Sequence, residues 1–356
     1  MVLLVGDSSF KLVSSDTHSL RNFWRSGFMD LFDAYSKLSL GESLRDAKIV
    51  EIKSGDGILY VHQGEMVTVR YAPDALSTEF GGRIDTSLPR YVGTSEMTSC
   101  HAVFVTSPAG YAMGHLDGRG EGRLTKAFFS TVIEFFESIT SSNETLDVHV
   151  VGGFLDDKSF SKDLSFQIFK ELLVSKRVFK LQTLKSYILN DCIISESSNQ
   201  LHMPIIRAVV FDTFASALFP ATIQPEARGP LSVLRSSYVY SISARSQMHN
   251  ILDPISHRLI LRPFVIDEKT MEVLKLIGHY SRQQLQDFST TPKQETDHFY
   301  EMLRRASVLL TTLKKEKLDI FAGGNLEFVF DEGEQQWCPV NPHAKEATKI
   351  SLICFK

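Results

Sequence analysis

The segment GTSEMTSCHAVFVTSPAGYAMGHLDG, residues 93–118, is the one around which the rest of the chain is arranged. Residues 100–106 form an apolar alternating run, Ser107-Pro108-Ala109-Gly110 supplies a turn, and residues 111–117 run back. Two short segments with a period of two residues on either side of a Pro/Gly turn predict a β-hairpin.

The register of this hairpin determines whether a thiol and an imidazole meet. Directly opposed residues of an antiparallel pair have residue numbers of constant sum, so a loop at Pro108-Ala109 places His115 opposite Ala102 and on the face that carries Cys100. A shift of one residue would place the two side chains on opposite faces. In the predicted register the hairpin holds the minimum set for nucleophilic catalysis.

A structural role for Cys100 is the alternative. Free Cys is among the most buried residue types and commonly acts as a small core hydrophobe. The residues before it favour a polar pocket, because Thr94, Ser95, Thr98 and Ser99 place hydroxyl groups where a core strand would carry Val or Ile.

The whole pattern resembles the eukaryotic protein N-terminal asparagine amidohydrolases. The resemblance rests on TSCH (98–101), GHLDG (114–118) and DVHVVGGFLDD (147–157), and is supported by GILYVHQ (57–63) and FSTTP (288–292). It spans nearly the full length, with insertions around 16–46 and 72–90.

A shorter part of the pattern is similar to a second family. The order Gly, Thr, Ser-Cys, strand, turn, strand, His also resembles the receptor glutamine deamidases of bacterial chemotaxis. In those enzymes a Thr six residues before the Cys helps to position the His, and Thr94 stands at the matching position.

The resemblance implies deamidation of the side chain of an N-terminal Asn, which gives Asp and ammonia and feeds the N-degron pathway of protein degradation. The substrates would be proteins or peptides with N-terminal Asn, and neither a metal nor an organic cofactor would be required. Cys100 would attack the amide carbon, with His115 as a base or as the cationic partner of an ion pair. Thr94, or alternatively Asp117, would orient the imidazole.

Four further residues are candidates for substrate binding. The Ser99 hydroxyl, or the backbone N–H groups of residues 99–101, could stabilise the oxyanion. We expect Asp117 to accept the α-ammonium group, with Tyr60 and Gln63 as pocket walls, although ordinary strand packing explains Tyr60 equally well.

Composition limits the partners and the location. A formal charge of −4 with mixed signs gives no electrostatic footprint for nucleic acid or for an anionic membrane. The longest apolar runs fall well short of the roughly 18 residues of a transmembrane helix. The four cysteines, at 100, 192, 338 and 354, have neither CxxC nor metal-ligand spacing and fit a reducing compartment. We therefore expect a soluble intracellular protein. It is further expected to be a monomer and to occur in the cytoplasm and also in the nucleus.

Hairpins and amphipathic helices without regular βαβ alternation predict the α+β class. Apolar stripes predict helices at about 124–141 and 295–315, alternation predicts a hairpin over 57–71, and residues 350–355 are expected to form a terminal strand. No linker is evident, so residues 1–356 are expected to form one domain. The resemblance implies an α-β-β sandwich with the Cys–His hairpin in the central sheet.

The sequence is also compatible with two other kinds of function. The chain could be a non-catalytic protein-binding module that keeps the fold, with Cys100 simply buried. It could also be a Cys–His peptidase, or a deamidase of other specificity.

Overall fold

The structure is a computed structural model that describes residues 2–6, 8–10, 19, 22–38, 44, 47–72, 76–77, 83–84, 87–196 and 199–353. Its strands are β1 Val2–Val5, β2 Ser8–Phe10, β3 Val50–Ile52, β4 Ile58–Tyr60, β5 Glu65–Arg70, β6 Leu76–Ser77, β7 Arg83–Ile84, β8 Tyr91–Thr94, β9 His101–Ser107, β10 Gly110–Leu116, β11 Leu146–Gly152, β12 Val178–Ser186, β13 Asp191–Glu196, β14 Asn199–Pro204, β15 Val209–Asp212, β16 Ala217–Ile223, β17 His249–Asn250, β18 Leu259–Leu261, β19 Leu326–Asp331 and β20 Gln336–Pro339. Its α-helices are α1 Phe28–Ser36, α2 Arg123–Ile139, α3 Phe160–Val174, α4 Ser232–Ser236, α5 Glu268–Ile277, α6 Arg282–Leu285, α7 Asp297–Lys315 and α8 Pro342–Ile353, and a π-helical turn, Phe23–Gly27, precedes α1.

The central layer is an eight-stranded sheet with the order β17-β5-β10-β9-β11-β12-β1-β2. On one face, Val103 and Val105 pack with Phe128 of α2 and Ile168 of α3. The opposite face packs against a five-stranded sheet with the order β3-β16-β15-β8-β4. The predicted α+β class is confirmed, and helices, sheet and second sheet form three layers with the Cys–His hairpin in the middle one.

An apolar core lies between the two sheets, and one face of the hairpin contributes to it. Phe104 of β9 and Met113 of β10 share this core with Val92 of β8 and Phe211 of β15. Every residue of β10 is buried, because helices cover one of its faces and the second sheet covers the other. An alternating strand with two covered faces is therefore held in a single register, since a slip would exchange both sets of contacts.

Gly114 shows why the residue before His115 is small. A Cβ atom at this position would lie 2.6 Å from Cε2 of Phe128, so the helix α2 could not pack as closely on the hairpin. The close approach fixes α2 against β10 one residue before the imidazole.

The structure confirms two of the predicted elements and contradicts two others. The helices expected at 124–141 and 295–315 are confirmed as α2 and α7. The hairpin expected over 57–71 is wrong: β4 pairs in parallel with β8 of the smaller sheet, whereas β5 pairs with β10 of the larger one. The terminal strand is also wrong, because residues up to Ile353 form α8, and Cys354 lies outside the described residues.

The insertion expected around 72–90 is only partly described, and within it β6 and β7 form a short antiparallel ladder. The insertion expected around 16–46 contains α1 and the π-helical turn among its described residues. Within the described ranges, no helix is both long enough and apolar enough to cross a membrane.

Candidate active site

The predicted register of the hairpin is confirmed. Gly110 lies opposite Ser107, and His115 lies opposite Ala102. Cys100 comes immediately before β9 and two residues before Ala102, so the alternation of the strand places its side chain on the same face as His115. Both side chains line one cavity of about 460 Å³. The sheet thus brings a thiol and an imidazole to the wall of a shared pocket.

The imidazole of His115 is held by the second sheet. Its Nδ1 lies 2.7 Å from Oγ1 of Thr94, the last residue of β8, and both side chains are buried. Nε2 has no hydrogen-bond partner among the described residues. With the ring hydrogen on Nδ1, where Thr94 can accept it, the lone pair of Nε2 is free to accept a proton.

Burial sets the protonation states of the resting pair. It lowers the pKa of His115 to about 4, while Asp117 and the Val61 carbonyl act in the opposite direction. Burial also raises the pKa of the Cys100 thiol well above its ordinary value, and the charges of Asp117 and Glu295 raise it further. Both shifts favour a neutral thiol beside a neutral imidazole near pH 7.

Asp117 lines the cavity, but its charge is shared with a neighbouring cation. Oδ2 accepts hydrogen bonds from Nε of Arg119 at 2.7 Å and from Nε2 of Gln63 at 2.8 Å, and Oδ1 accepts from the backbone N–H of Arg119. Burial alone would raise the pKa of Asp117, but the charge and hydrogen bonds of Arg119, with Gln63, lower it overall. The carboxylate that we expected to face the substrate ammonium is thus already paired with Arg119.

Tyr60 and Ser99, two other predicted pocket residues, each share a hydrogen bond with a neighbouring hydroxyl group. Tyr60 donates to or accepts from Oγ of Ser95 at 2.9 Å, and its ring lies edge-on to the ring of His62. Ser99 Oγ lies 2.7 Å from Oγ1 of Thr290, on the segment before α7. Six of the seven predicted residues line the cavity, and Thr94 contacts His115 from outside it.

The structure adds charged groups that the sequence did not single out. Glu295 lines the same cavity, and its Oε1 accepts hydrogen bonds from Ser289 at 2.5 Å and from Thr98 at 3.3 Å. Glu96 also lines it and pairs with Arg228 at 3.1 Å. Glu295 follows the FSTTP segment by three residues, but nothing in its local pattern indicates a contact with Thr98, 197 residues earlier.

A buried ion pair supports the wall of the pocket near Tyr60. Arg235 of α4 and Glu65 of β5 are at most 1% exposed and make two hydrogen bonds, of 3.1 and 2.7 Å. The same guanidinium donates to the backbone carbonyl of Tyr60. It therefore ties the segment between β4 and β5 to α4.

The described residues contain no group of three or more His, Cys, Asp or Glu side chains that could hold a metal ion. The described residues form an α+β protein in which a thiol and an imidazole line one cavity and a hydroxyl contacts the imidazole. Nucleophilic catalysis on an amide requires groups of these types. The chain belongs to the protein N-terminal asparagine amidohydrolase family, whose model matches residues 48–338.

Curated relatives agree with this family. The chain is 26% identical to the protein N-terminal asparagine amidohydrolase of Homo sapiens over 298 residues, which cover 83% of this chain and 87% of the relative. The proteins of the same name from Sus scrofa and Mus musculus are also 26% identical to it, over 83% of this chain and 87% and 88% of their own lengths.

Proposed function

We propose that this protein hydrolyses the side-chain amide of an N-terminal Asn in proteins and peptides, giving N-terminal Asp and ammonia through a thioester on Cys100. One observation carries the proposal: the family match spans the hairpin that places Cys100 and His115 in one pocket. The product would enter the N-degron pathway of protein degradation, in the cytoplasm and the nucleus.

The first step is attack by the thiol on the amide carbon. Because the resting thiol and imidazole are both neutral, His115 acts as a general base: Nε2 takes the proton of Sγ as sulfur bonds to carbon. Thr94 keeps the other ring nitrogen occupied and so fixes the orientation of the ring.

The tetrahedral intermediate carries a negative oxygen, which needs preorganised donors. The Ser99 hydroxyl and the backbone N–H groups of residues 99–101 are the candidates, and the bond between Ser99 and Thr290 fixes the position of that hydroxyl. His115 then returns its proton to the leaving nitrogen, ammonia departs, and the thioester forms. A water molecule that loses a proton to the same ring hydrolyses the thioester and restores the thiol.

Asp117 has a positioning role in this account. It holds Arg119 and Gln63 at the cavity wall, and its negative charge raises the pKa of His115. Tyr60, fixed by its bond to Ser95, lines the same cavity.

A panel of three peptides tests this function. Ammonia release and peptide mass should be measured for otherwise identical peptides that begin with Asn, Gln or acetylated Asn. We expect rapid conversion of the Asn peptide alone, because a side chain longer by one methylene displaces the carbonyl carbon from sulfur. Equal conversion of the Gln peptide would indicate a deamidase of other specificity. Cleavage of the peptide chain would indicate a peptidase.

A further inference from the structure

We propose that Glu295 binds the α-ammonium group of the substrate and thereby restricts the enzyme to chain ends. This inference rests on the proposed function and assigns the residue that recognises the free amine. It differs from the expectation drawn from the sequence, which gave that role to Asp117.

Glu295 lines the same cavity as the nucleophile. Its Oε1 accepts a hydrogen bond from Thr98, two residues before Cys100, and its negative charge contributes to the raised pKa of the Cys100 thiol. A second bond joins Ser99 to Thr290 of the same segment. In an N-terminal Asn the α-nitrogen is only three bonds from the amide carbon that sulfur attacks, so its acceptor must lie beside the thiol.

The carboxylates around the cavity differ in what they already bind. Asp117 is paired with Arg119, and Glu96 is paired with Arg228. Glu295 has no ion-pair partner in the part of the chain that the structure describes, and both of its hydrogen bonds end on Oε1. Oε2 of Glu295 therefore accepts no hydrogen bond from the described residues and is available to a new donor, and an ammonium group offers three.

The electrostatics of the pocket favour a cation beside Glu295. Burial raises the pKa of Glu295, and the hydrogen bonds from Ser289 and Thr98, together with the more distant Arg207, only partly offset the effect. A carboxylate in such surroundings is stabilised when a positive group arrives. The α-ammonium of a chain end supplies that charge, whereas the neutral backbone amide of an internal Asn cannot.

The test compares Glu295→Gln with Glu301→Gln. Glu295→Gln keeps the shape of the side chain and removes its charge. Glu301→Gln makes the same chemical change on the exposed surface of α7, where the side chain pairs with the exposed Arg305 and does not line the cavity. With a peptide that begins with Asn, Glu295→Gln should lower kcat/KM by about ten- to a hundredfold, mostly through KM, and Glu301→Gln should leave it unchanged.

The pH profile separates recognition of charge from a structural effect. The α-amine of the peptide titrates at about pH 7.7–8. In the wild-type enzyme, kcat/KM should fall as the pH rises through this range, because the neutral amine no longer pairs with the carboxylate. In Glu295→Gln this decrease should flatten, since no charge remains to be recognised. Melting temperatures of the two variants report whether either one has failed to fold.

Two results would overturn the inference. One is a loss of less than threefold in a folded Glu295→Gln enzyme. The other is a larger loss with an unchanged alkaline limb, which would mean that Glu295 only supports Thr98 and Ser289. Failure of the proposed function would give a different result, because the wild-type enzyme itself would then leave the Asn peptide unconverted.

Discussion

Replacement of Thr94 by Val should slow the enzyme without abolishing its activity. Val keeps the branched shape of Thr but replaces the hydroxyl by a methyl group, so Nδ1 of His115 loses its partner at 2.7 Å. Both side chains are at most 4% exposed, and water therefore does not readily replace the hydroxyl. An unsatisfied buried polar group costs about 1–3 kcal/mol. If this appears in the transition state, kcat falls by about five- to 150-fold.

The assay is the rate of ammonia release at saturating concentrations of an Asn peptide, divided by the concentration of folded enzyme. We expect kcat to fall with little change in KM, because Thr94 orients the base and does not contact substrate. Thr94→Ser restores a hydroxyl at the same position and should recover most of the rate. His115→Ala, which removes the base itself, should cost more, about 10²–10⁴-fold or above.

The chain offers a matched control for the loss of a Thr–His bond. Thr183 Oγ1 lies 2.9 Å from Nδ1 of the buried His149, away from the cavity. Thr183→Val should lower stability but leave kcat per folded molecule near its wild-type value. Two outcomes would refute the reasoning: a Thr94→Val enzyme at full rate, or one as inactive as His115→Ala, which would give the hydroxyl a direct chemical role.

Three other predictions concern protonation, stability and the choice of thiol. In Glu295→Gln, kcat/KM should fall as the pH drops through about 4, where His115 gains a proton and can no longer act as a base. In the wild-type enzyme the decrease should begin at a higher pH, because burial raises the pKa of Glu295 and its protonation removes the charge that binds the substrate. Identical acid limbs in the two enzymes would contradict this prediction. Arg235→Met should lower the free energy of unfolding, measured in denaturant, by about 3–5 kcal/mol because Glu65 is left buried without its partner; a change below 1 kcal/mol would contradict the role given to the pair. Cys192→Ser should retain full activity, since Cys192 does not line the cavity, and an inactive but folded variant would mean that Cys100 is not the reactive thiol.

The central hairpin could be predicted because its determinants are local. A two-residue loop fixes the register of two adjacent strands, and that register places His115 opposite Ala102, on the face that carries Cys100. The contact of Thr94 followed from a resemblance and lies only 21 residues away in the chain. The long helices could be predicted as well, because the apolar stripe of each helix lies within one continuous segment of the sequence.

Pairing between distant segments could not be predicted in this way. The alternation of residues 57–71 is genuine, but each strand satisfies its hydrogen bonds in a different sheet. Alternation reports that a strand has two different faces and does not identify its neighbour. At the C-terminal end, a short apolar run did not distinguish a strand from the helix α8.

Two of the charged groups around the site were not predicted correctly. Asp117 was expected to accept the substrate ammonium, but Arg119, two residues later and the first residue of the 3₁₀ turn Arg119–Gly122, donates hydrogen bonds to it. Glu295 reaches the site because the segment before α7 packs against the residues before β9. The contact of Glu295 depends on tertiary structure, since Thr98 and Glu295 are 197 residues apart, so the sequence indicated the thiol and the imidazole but not this carboxylate.

The most direct measurement compares wild-type enzyme with Cys100→Ala on one peptide that begins with Asn. Mass spectrometry follows the gain of about one dalton that accompanies replacement of NH₂ by OH, and a parallel assay follows ammonia. The account predicts complete conversion by the wild-type enzyme and none above the enzyme-free rate by a folded Cys100→Ala protein. Conversion by Cys100→Ala at the wild-type rate would contradict a thioester on this residue, and absence of conversion by either protein would favour a binding module instead.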